Sequence, residues 1–339
     1  MKRRFVSVVI PVYNERQHVT DAIRAVEAAV AEAPSFQAEL VVVDDGSSDG
    51  SAEAAASAAT LPVRLVRQPN RGRFAARQAG LEAAEGDYVL FVDSRVALFS
   101  RALRFLAERL DEDPDAVWNA HCVIATNGNP YGHFWNVVTE LAFSSYFSDP
   151  RTTSFDAESF DHFPKGTTCF FAPRETLHQA FAAFQTYYGD SRYSNDDTVI
   201  LRWIAERGEI HISPEFACVY RPRASLVPFL RHAYHRGIVF LDGHGHRESR
   251  FFPAVVMFYP ASIVVALLSL RRPLSAPVAL GVVSALAAIL ASGNRSRRET
   301  ASFVALAPIY GLAHGVGMWR GAAMAAAERA RQLASQLGQ

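Results

Sequence analysis

The feature that most constrains this chain is a run of three β-branched residues that stops at two carboxylates: Val41-Val42-Val43, then Asp44-Asp45-Gly46-Ser47-Ser48-Asp49-Gly50. Three such residues with no polar partner between them read as a strand buried on both faces, and Asp-Asp-Gly-Ser directly after them ends it. The carboxylates therefore sit at a strand's C-terminal edge. The same punctuation occurs at Val6-Ser7-Val8-Val9-Ile10, followed by Pro11-Val12-Tyr13-Asn14-Glu15, and at Tyr88-Val89-Leu90-Phe91-Val92, followed by Asp93-Ser94-Arg95. Open α/β sheets bind ligands in the crevice beyond the carboxyl ends of their strands, so these three strand ends imply one shared crevice.

Between the strands, apolar residues fall at helical spacing. Val19, Ala22, Ile23, Val26 and Val30 share a helix face across residues 15–33, which Pro34 and Ser35 stop. Residues 51–59 are Ala-rich, and Ser47 or Ser48 can cap that helix. A third strand is expected at 62–67, a third helix at 70–84, and Gly86-Asp87 turns the chain into the strand that ends at Asp93. This alternation predicts a mostly parallel, Rossmann-like α/β sheet with helices on both faces. Neither Gly-x-Gly-x-x-Gly nor Gly-x-x-x-x-Gly-Lys-Ser/Thr occurs, which weighs against dehydrogenases and P-loop enzymes. Further on, residues 101–110 read as a helix, 116–126 as a strand, 196–207 as a helix ended by Gly208, and 209–220 as a strand returning to the sheet. Residues 127–188, rich in aromatics, Gly and Pro, show no legible order and suit an acceptor-binding region.

Val8-Ile10-Pro11-Tyr13-Asn14-Glu15, Val43-Asp44-Asp45-Gly46-Ser47-Asp49, Asn70-Gly72-Ala76-Arg77-Gly80 and Gly86-Asp87-Phe91-Asp93 follow in this order. Together they resemble the nucleotide-sugar half of a family 2 glycosyltransferase with the GT-A fold. That resemblance implies a nucleotide-diphosphate sugar donor and transfer with inversion.

Such a transfer needs a grip on base and ribose, neutralisation of the leaving diphosphate, and a base for the acceptor. Asp45 can accept from a base N–H or a ribose hydroxyl, and the resemblance implies a base contact. Main-chain groups near Pro11 and Tyr13, with the side chains of Glu15 and Asp44, would complete that pocket. Without the resemblance, Asp-Asp-Gly-Ser reads equally as a turn with a helix cap. Asp93, followed by Ser94, stands where the family has the first Asp of its metal-binding Asp-x-Asp, but Arg95 occupies the last position. Two accounts follow. Asp93 holds Mg²⁺ or Mn²⁺ together with diphosphate oxygens and water, since Mg²⁺ often takes only one or two carboxylates; or Arg95 supplies positive charge directly.

Asn70, Arg71, Arg73 and Arg77 open the third helix, where N–H groups and the macrodipole favour anions. Arg77 matches the Arg of the family's Asn-x-Gly-x-x-x-Ala-Arg and is expected on the nucleotide. Asn195-Asp196-Asp197, with Arg202 six residues after Asp196, resembles the family's Glu-Asp motif followed by Leu-x-x-Arg, with Asn195 in place of the Glu. The resemblance implies Asp196 as catalytic base, with Asp197 as the alternative; the plain reading is a helix start whose acidic residues suit the dipole. Lys165, in Lys165-Gly166-Thr167-Thr168, can bind an acceptor phosphate. Arg223, Arg231 and Arg236 crowd one basic segment with Arg221, His232 and His235, and the family's Gln-x-x-Arg-Trp is missing there. Those arginines either grip a sugar diphosphate or lipid phosphate, or meet anionic headgroups as an interfacial helix.

A chain of 339 residues is long for one domain, and Lys+Arg and Asp+Glu balance at 34 each, so net charge gives no argument for nucleic acid as a partner. After Arg250, residues 251–270, 273–291 and 302–319 contain no Asp, Glu, Lys or Arg and approach the ~20 residues that cross a bilayer. Three spans are one reading; a two-helix hairpin, with the Pro-broken first stretch lying in the interface or re-entering, is the other. Arg271-Arg272 and Arg295, Arg297 and Arg298 fall between the stretches and leave the orientation open. The expected organisation is a GT-A domain over 1–225, a basic amphipathic interfacial helix and linker over 226–250, membrane-embedded helices over 251–320 and a tail over 321–339. Met1-Lys2-Arg3-Arg4 leads straight into a strand, without the apolar run of a signal peptide. Cys122, Cys169 and Cys218 lack metal-ligand spacing and read as reduced core thiols.

The sequence thus reads as a cell-membrane glycosyltransferase with its catalytic domain on the cytoplasmic side. It is similar to exopolysaccharide glycosyltransferases of the succinoglycan type, with a lipid-linked (polyprenyl) or saccharide acceptor in exopolysaccharide or cell-envelope assembly. Membrane lipids are expected partners. A polyprenyl-phosphate sugar synthase is the alternative within the class. A non-catalytic nucleotide-sugar-binding scaffold that lost its metal site is the rival outside it.

Overall fold

The computed structural model describes residues 3–293 and 295–337; the expectations for Met1-Lys2 and for the last two residues of the tail fall outside them. The elements in order are β1 (Arg4–Val12), α1 (Arg16–Ala31), β2 (Phe36–Asp44), α2 (Ser51–Ala58), β3 (Val63–Arg67), α3 (Arg73–Ala83), β4 (Tyr88–Val92) and β5 (Val96–Leu98). They continue with α4 (Ala102–Glu112), β6 (Val117–Ile124), α5 (Pro130–Ala142), α6 (Ser144–Phe147), β7 (Thr153–Phe155), β8 (Cys169–Pro173) and α7 (Arg174–Ala182). The last are α8 (Asp196–Ala205), β9 (Ile210–Tyr220), α9 (Leu226–His244), α10 (Phe252–Arg271), α11 (Ser275–Ala291) and α12 (Arg297–Leu337).

Two compact units form. The first comprises Met1–Val123, Phe143–Gln185 and Asp196–Arg221; the second comprises Ile124–Ala142, Thr186–Asn195 and Pro222–Gln339. The segment expected as one domain over 1–225 is therefore interrupted twice, by α5 and by the loop of residues 186–195.

The first unit is built on a sheet ordered β3-β2-β1-β4-β8-β6-β9-β5, with β7 on β9. β3, β2, β1 and β4 are mutually parallel, in the register Val9↔Val41 and Val12↔Asp44, which brings the ends of β1, β2 and β4 to one edge. Beyond β4 the sheet is mixed, because β8 runs antiparallel to both β4 and β6, and β5 antiparallel to β9. The β-branched run is buried on both sides as its composition demands: Leu40 and Val42 join a core with Val8 and Ile10, while Val41 and Val43 join a second core with Val9 and Phe91. α3 lies close on the second face. A Cβ on Gly80 would come within 2.2 Å of Val9 Cγ1, so only glycine fits there. The three cysteines are free thiols at the first core.

One capping expectation fails. The N-cap of α2 is Gly50, in the left-handed region, and Ser47 and Ser48 instead hydrogen-bond to Asn14.

The second unit packs Phe134, Trp135 and Val137 of α5 against Phe229 of α9, Ala287 and Ala291 of α11, and Phe303 and Leu306 of α12. The stretch 302–319 is not a separate helix; it lies within α12, which continues through most of the expected tail. By length and composition α10 and α12 can each cross a membrane, whereas α11 is shorter.

Candidate active site at the carboxyl edge of the sheet

The loops after β1 and β2 are stitched together by the residues that carry the sequence motifs. Asn14, held at a positive φ of 52°, accepts from the Ser48 amide at 2.8 Å and donates its own amide to Ser47 Oγ at 3.0 Å. Asparagine tolerates that conformation better than other side-chain-bearing residues do. The amides of Glu15 and Arg16 donate to Ser51 Oγ and to the Asp49 carboxylate. Asp44 accepts from the Ser47 amide at 2.9 Å and is buried. Pro11 sits in β1 opposite Val43, and Tyr13 projects beyond the edge, 49% exposed.

Asp45 organises the next loop. Its carboxylate accepts from Gln68 Nε2 at 2.7 Å and from the amides of Arg71 and Gly72 at 2.8 and 2.9 Å. Gly46, at φ +82°, makes the turn; a Cβ there would meet the Asn70 amide nitrogen at 2.9 Å. Asp45 thus fixes the start of α3 from a buried position, with at most one of its roughly four lone-pair sites left for a ligand.

At the centre is Arg77, expected on the nucleotide but fully buried, which excludes direct contact. Its guanidinium donates to Asp93 at 2.7 Å and to Asp196 through a short hydrogen bond, and lies 3.7 Å from Asp197. Arg73, 46% exposed, reaches Asp196 at 3.6 Å and is the guanidinium a ligand can meet. Two sequence-distant carboxylates from α8 are thus joined to the end of β4 by a cation from α3. Burial works against the charge on Arg77, but Asp93, Asp196 and Asp197 more than offset it and hold it protonated.

The carboxylates differ in environment. Asp196, expected as the base, is sealed at 2% exposure beneath Arg77, whereas Asp197 is 29% exposed. Thr167 holds Asp197 through its amide at 3.0 Å and a short bond from its hydroxyl. Burial raises the Asp197 carboxyl, but Arg77, Arg73 and Thr167 outweigh it and leave it at about 2. Burial pushes the Asp93 carboxyl above its usual range, against the pull of Arg77.

Other expected contacts are placed differently. Arg95 donates to Glu15 at 2.7 Å and to the Arg221 carbonyl at 3.3 Å, so its charge is turned to Glu15 and not offered to a diphosphate. Ser94 is buried. Lys165 is half-buried, and its ammonium donates to the carbonyls of Phe160 and Phe163 at 2.5 and 3.2 Å over the Phe160 ring, turned to these groups and not to a phosphate. The side chain of that stretch that reaches the carboxylate cluster is Thr167, through Asp197, where the sequence reading singles out Lys165. Arg202 is held by Asp161 at 3.2 Å over the Phe160 ring. Arg223, Arg231 and Arg236 belong to the second unit, with Arg231 and Arg236 exposed on α9 and Arg236 5.0 Å from the Trp135 ring.

For a divalent cation, the described residues contain no group of three or more His, Cys, Asp or Glu able to hold one. The donor set fits only an ion carried in by a diphosphate. Three carboxylates against two guanidiniums leave the cluster net negative when all are ionised, so a diphosphate needs a countercharge there, and one oxygen of Asp93 is engaged by Arg77.

The sequence profile of glycosyl transferase family 2 matches residues 7–179, more than half of the chain, including the loops after β1, β2 and β4 but not Asp196 and Asp197. The chain belongs to glycosyl transferase family 2. A 95-residue segment of this family 2 chain is 44% identical to the undecaprenyl-phosphate 4-deoxy-4-formamido-L-arabinose transferase of Pseudomonas savastanoi pv. phaseolicola, covering 27% of this chain and 28% of that protein. The enzyme of the same name from Edwardsiella ictaluri is 37% identical over 118 residues, 34% and 36% of the two chains. The match thus spans about a third or less of these curated relatives. Among solved structures, S. aureus TarS 1-349 in complex with UDP-GlcNAc superposes with a TM-score of 0.50 at 16% identity, over 96% of this chain and 91% of that one, a likeness of fold.

Proposed function

We propose that this chain transfers a sugar from a nucleoside-diphosphate sugar to a polyprenyl phosphate at a membrane, with inversion at the anomeric carbon. The observation that carries the choice of acceptor is the state of the two carboxylates on α8. A base that must deprotonate a hydroxyl works best with a pKa near the operating pH. Asp197 is held at about 2, far from the operating pH of a base, and Asp196 is sealed under Arg77, out of reach of an acceptor hydroxyl. A phosphate monoester needs no base, since with a second pKa of about 6 it arrives with a nucleophilic oxygen. The names of the curated relatives, transferases to undecaprenyl phosphate, support the same acceptor.

In this reading an oxygen of the acceptor phosphate forms the bond to the anomeric carbon. The bond from that carbon to the diphosphate oxygen breaks, and its electron pair leaves with the nucleoside diphosphate. Arg73 and the amides opening α3 face the leaving charge, and Arg77 holds Asp93, Asp196 and Asp197 in place as a positioning residue. Asp93 would hold Mg²⁺ or Mn²⁺, which supplies charge neutralisation on the diphosphate when bound. The loops around Asn14 and Asp45 take the nucleoside. α10 attaches the chain to the membrane in which the acceptor lies, and Arg223, Arg231 and Arg236 serve the lipid phosphate from the cytoplasmic side.

A second reading has a saccharide hydroxyl as acceptor and Asp197 as base, favoured by its partial exposure. Purified full-length chain in detergent, offered UDP- and GDP-sugars with either undecaprenyl phosphate or an undecaprenyl-diphosphate saccharide, separates the readings by mass spectrometry of the lipid product. The expected product is the sugar ester of undecaprenyl phosphate. Transfer to the saccharide alone, abolished in Asp197→Asn, would establish the second reading. Nucleotide binding without any transfer would establish a scaffold.

A further inference from the structure

The long C-terminal helix passes the length and composition test for a membrane crossing, but its neighbours are those of a helix lying flat. α10 and α11 fold back on each other through Arg272-Pro273-Leu274, where Ser269 Oγ and Ser275 Oγ are 3.0 Å apart. α12 starts beside the end of α11: Thr300 donates its hydroxyl to the Ala291 carbonyl at 3.5 Å, and Phe303 and Leu306 share a core with Ala287 and Ala291. A third crossing antiparallel to α11 would bring residues 315–319 level with the hairpin turn. They meet α10 well short of it. Trp319 Nε1 donates to Ser262 Oγ at 3.1 Å, Tyr259 donates its hydroxyl to the Met318 carbonyl at 3.4 Å, and Gly315 lies against the Phe258 ring. Ser262 stands nine residues before the end of α10, about 14 Å at 1.5 Å per residue. α12 therefore runs across the hairpin, from α11 to α10, instead of along it.

The partner on its other side agrees. α12 meets α9 backbone to backbone: a Cβ on Gly237 would fall 2.0 Å from the His314 carbonyl oxygen, and one on Gly317 would fall 2.1 Å from that of Tyr234. α9 carries Arg231 and Arg236 exposed, and a helix bearing two exposed arginines does not belong in hydrocarbon. The face of α12 that remains open presents Ile309, Leu312, Val316 and Trp319, a single apolar stripe at helical spacing, followed by exposed Arg320. α10 and α11 also expose apolar side chains, among them Val264, Leu267, Val282 and Leu286.

From this placement we infer that α12 lies in the membrane–water interface with the Ile309-Leu312-Val316-Trp319 stripe in the lipid, that α10 and α11 are the inserted pair among the described helices, and that α12 ends on the catalytic side. The inference rests on the membrane half of the proposed function and not on its chemistry. Bilayer lipid is the occupant because the stripe ends in a tryptophan and an arginine, the residues of an interfacial belt.

Variants of the full-length chain with one added cysteine, Glu32→Cys and Ser335→Cys, labelled with a membrane-impermeant maleimide in intact and in permeabilised spheroplasts, test the topology, with the unsubstituted chain reporting the background from Cys122, Cys169 and Cys218. Glu32→Cys and Ser335→Cys should label from one and the same side; labelling of Ser335→Cys from the opposite side would overturn the inference. Spin labels at positions 309, 312 and 316 should report one shallow depth, whereas depths graded toward mid-bilayer would contradict it. Neither readout depends on transfer, so an inactive protein leaves the test intact. Recovery of the chain in the soluble fraction would overturn the membrane reading and this inference together.

Discussion

At the residue scale, the site turns on one buried guanidinium shared by three carboxylates. Removing one partner of a buried ion pair typically costs about 3–5 kcal/mol, because the remaining charge is left uncompensated. Arg77→Met should therefore lower the unfolding free energy by about that amount and reduce transfer by at least ~100-fold, measured by denaturant titration and by a lipid-transfer assay. Arg73→Met removes a half-exposed cation and should spare stability while raising the KM for the donor. Asp197 sets an acid limit. Its folded pKa, about 2, lies below the ordinary value of 3.8, so it contributes stability that is complete above about pH 4 and is lost as the pH falls toward 2. Circular dichroism between pH 5 and 2 should show that loss, and Asp197→Asn should flatten it. The sequence exposed Asp93, Asp196, Asp197 and Arg77 as chemistry-bearing residues. It did not show that Arg77 is sealed, because residues sixteen and more than a hundred positions away complete its shell.

At the scale of elements, the strands and helices of the parallel half were legible because each β-branched run alternates with a helical period and is cut by Gly, Asp or Pro. Beyond β4 the signal weakens. β5 and β7 are three residues each and β8 five, too short to show a clear period. The departure of Asn195 from the expected Glu has a physical account within the second unit. Its side-chain amide donates to the Val239 carbonyl at 3.4 Å, and Gly243 leaves room for it, since a Cβ there would fall 2.0 Å from Asn195 Nδ2. Glutamate cannot donate that bond. Asp242 holds the same loop at both ends, accepting from the Thr186 hydroxyl, the Tyr187 amide and the Asn195 amide. Asp242→Ala should leave these part-buried groups without their shared acceptor, costing on the order of 1–2 kcal/mol, and loosen the residue that precedes the α8 acidic pair. Denaturation midpoints and amide exchange across residues 186–197 would record both effects. In the first unit, Gly80→Ala should destabilise by about 1–3 kcal/mol through overpacking against Val9.

For the whole molecule, the catalytic half follows from local patterns, and the membrane half required packing to interpret. Composition located the apolar stretches within a few residues, yet it could not distinguish a helix that crosses from one that lies across others. The account as a whole depends on the loops after β1, β2 and β4, with the start of α3, forming one donor site. Hydrogen–deuterium exchange of the full-length chain in detergent, with and without saturating UDP or GDP and Mn²⁺, tests this most directly. Protection confined to residues 13–16, 45–50, 70–77 and 93–95 is the expected result; a bound nucleotide that leaves these four segments unprotected would contradict it.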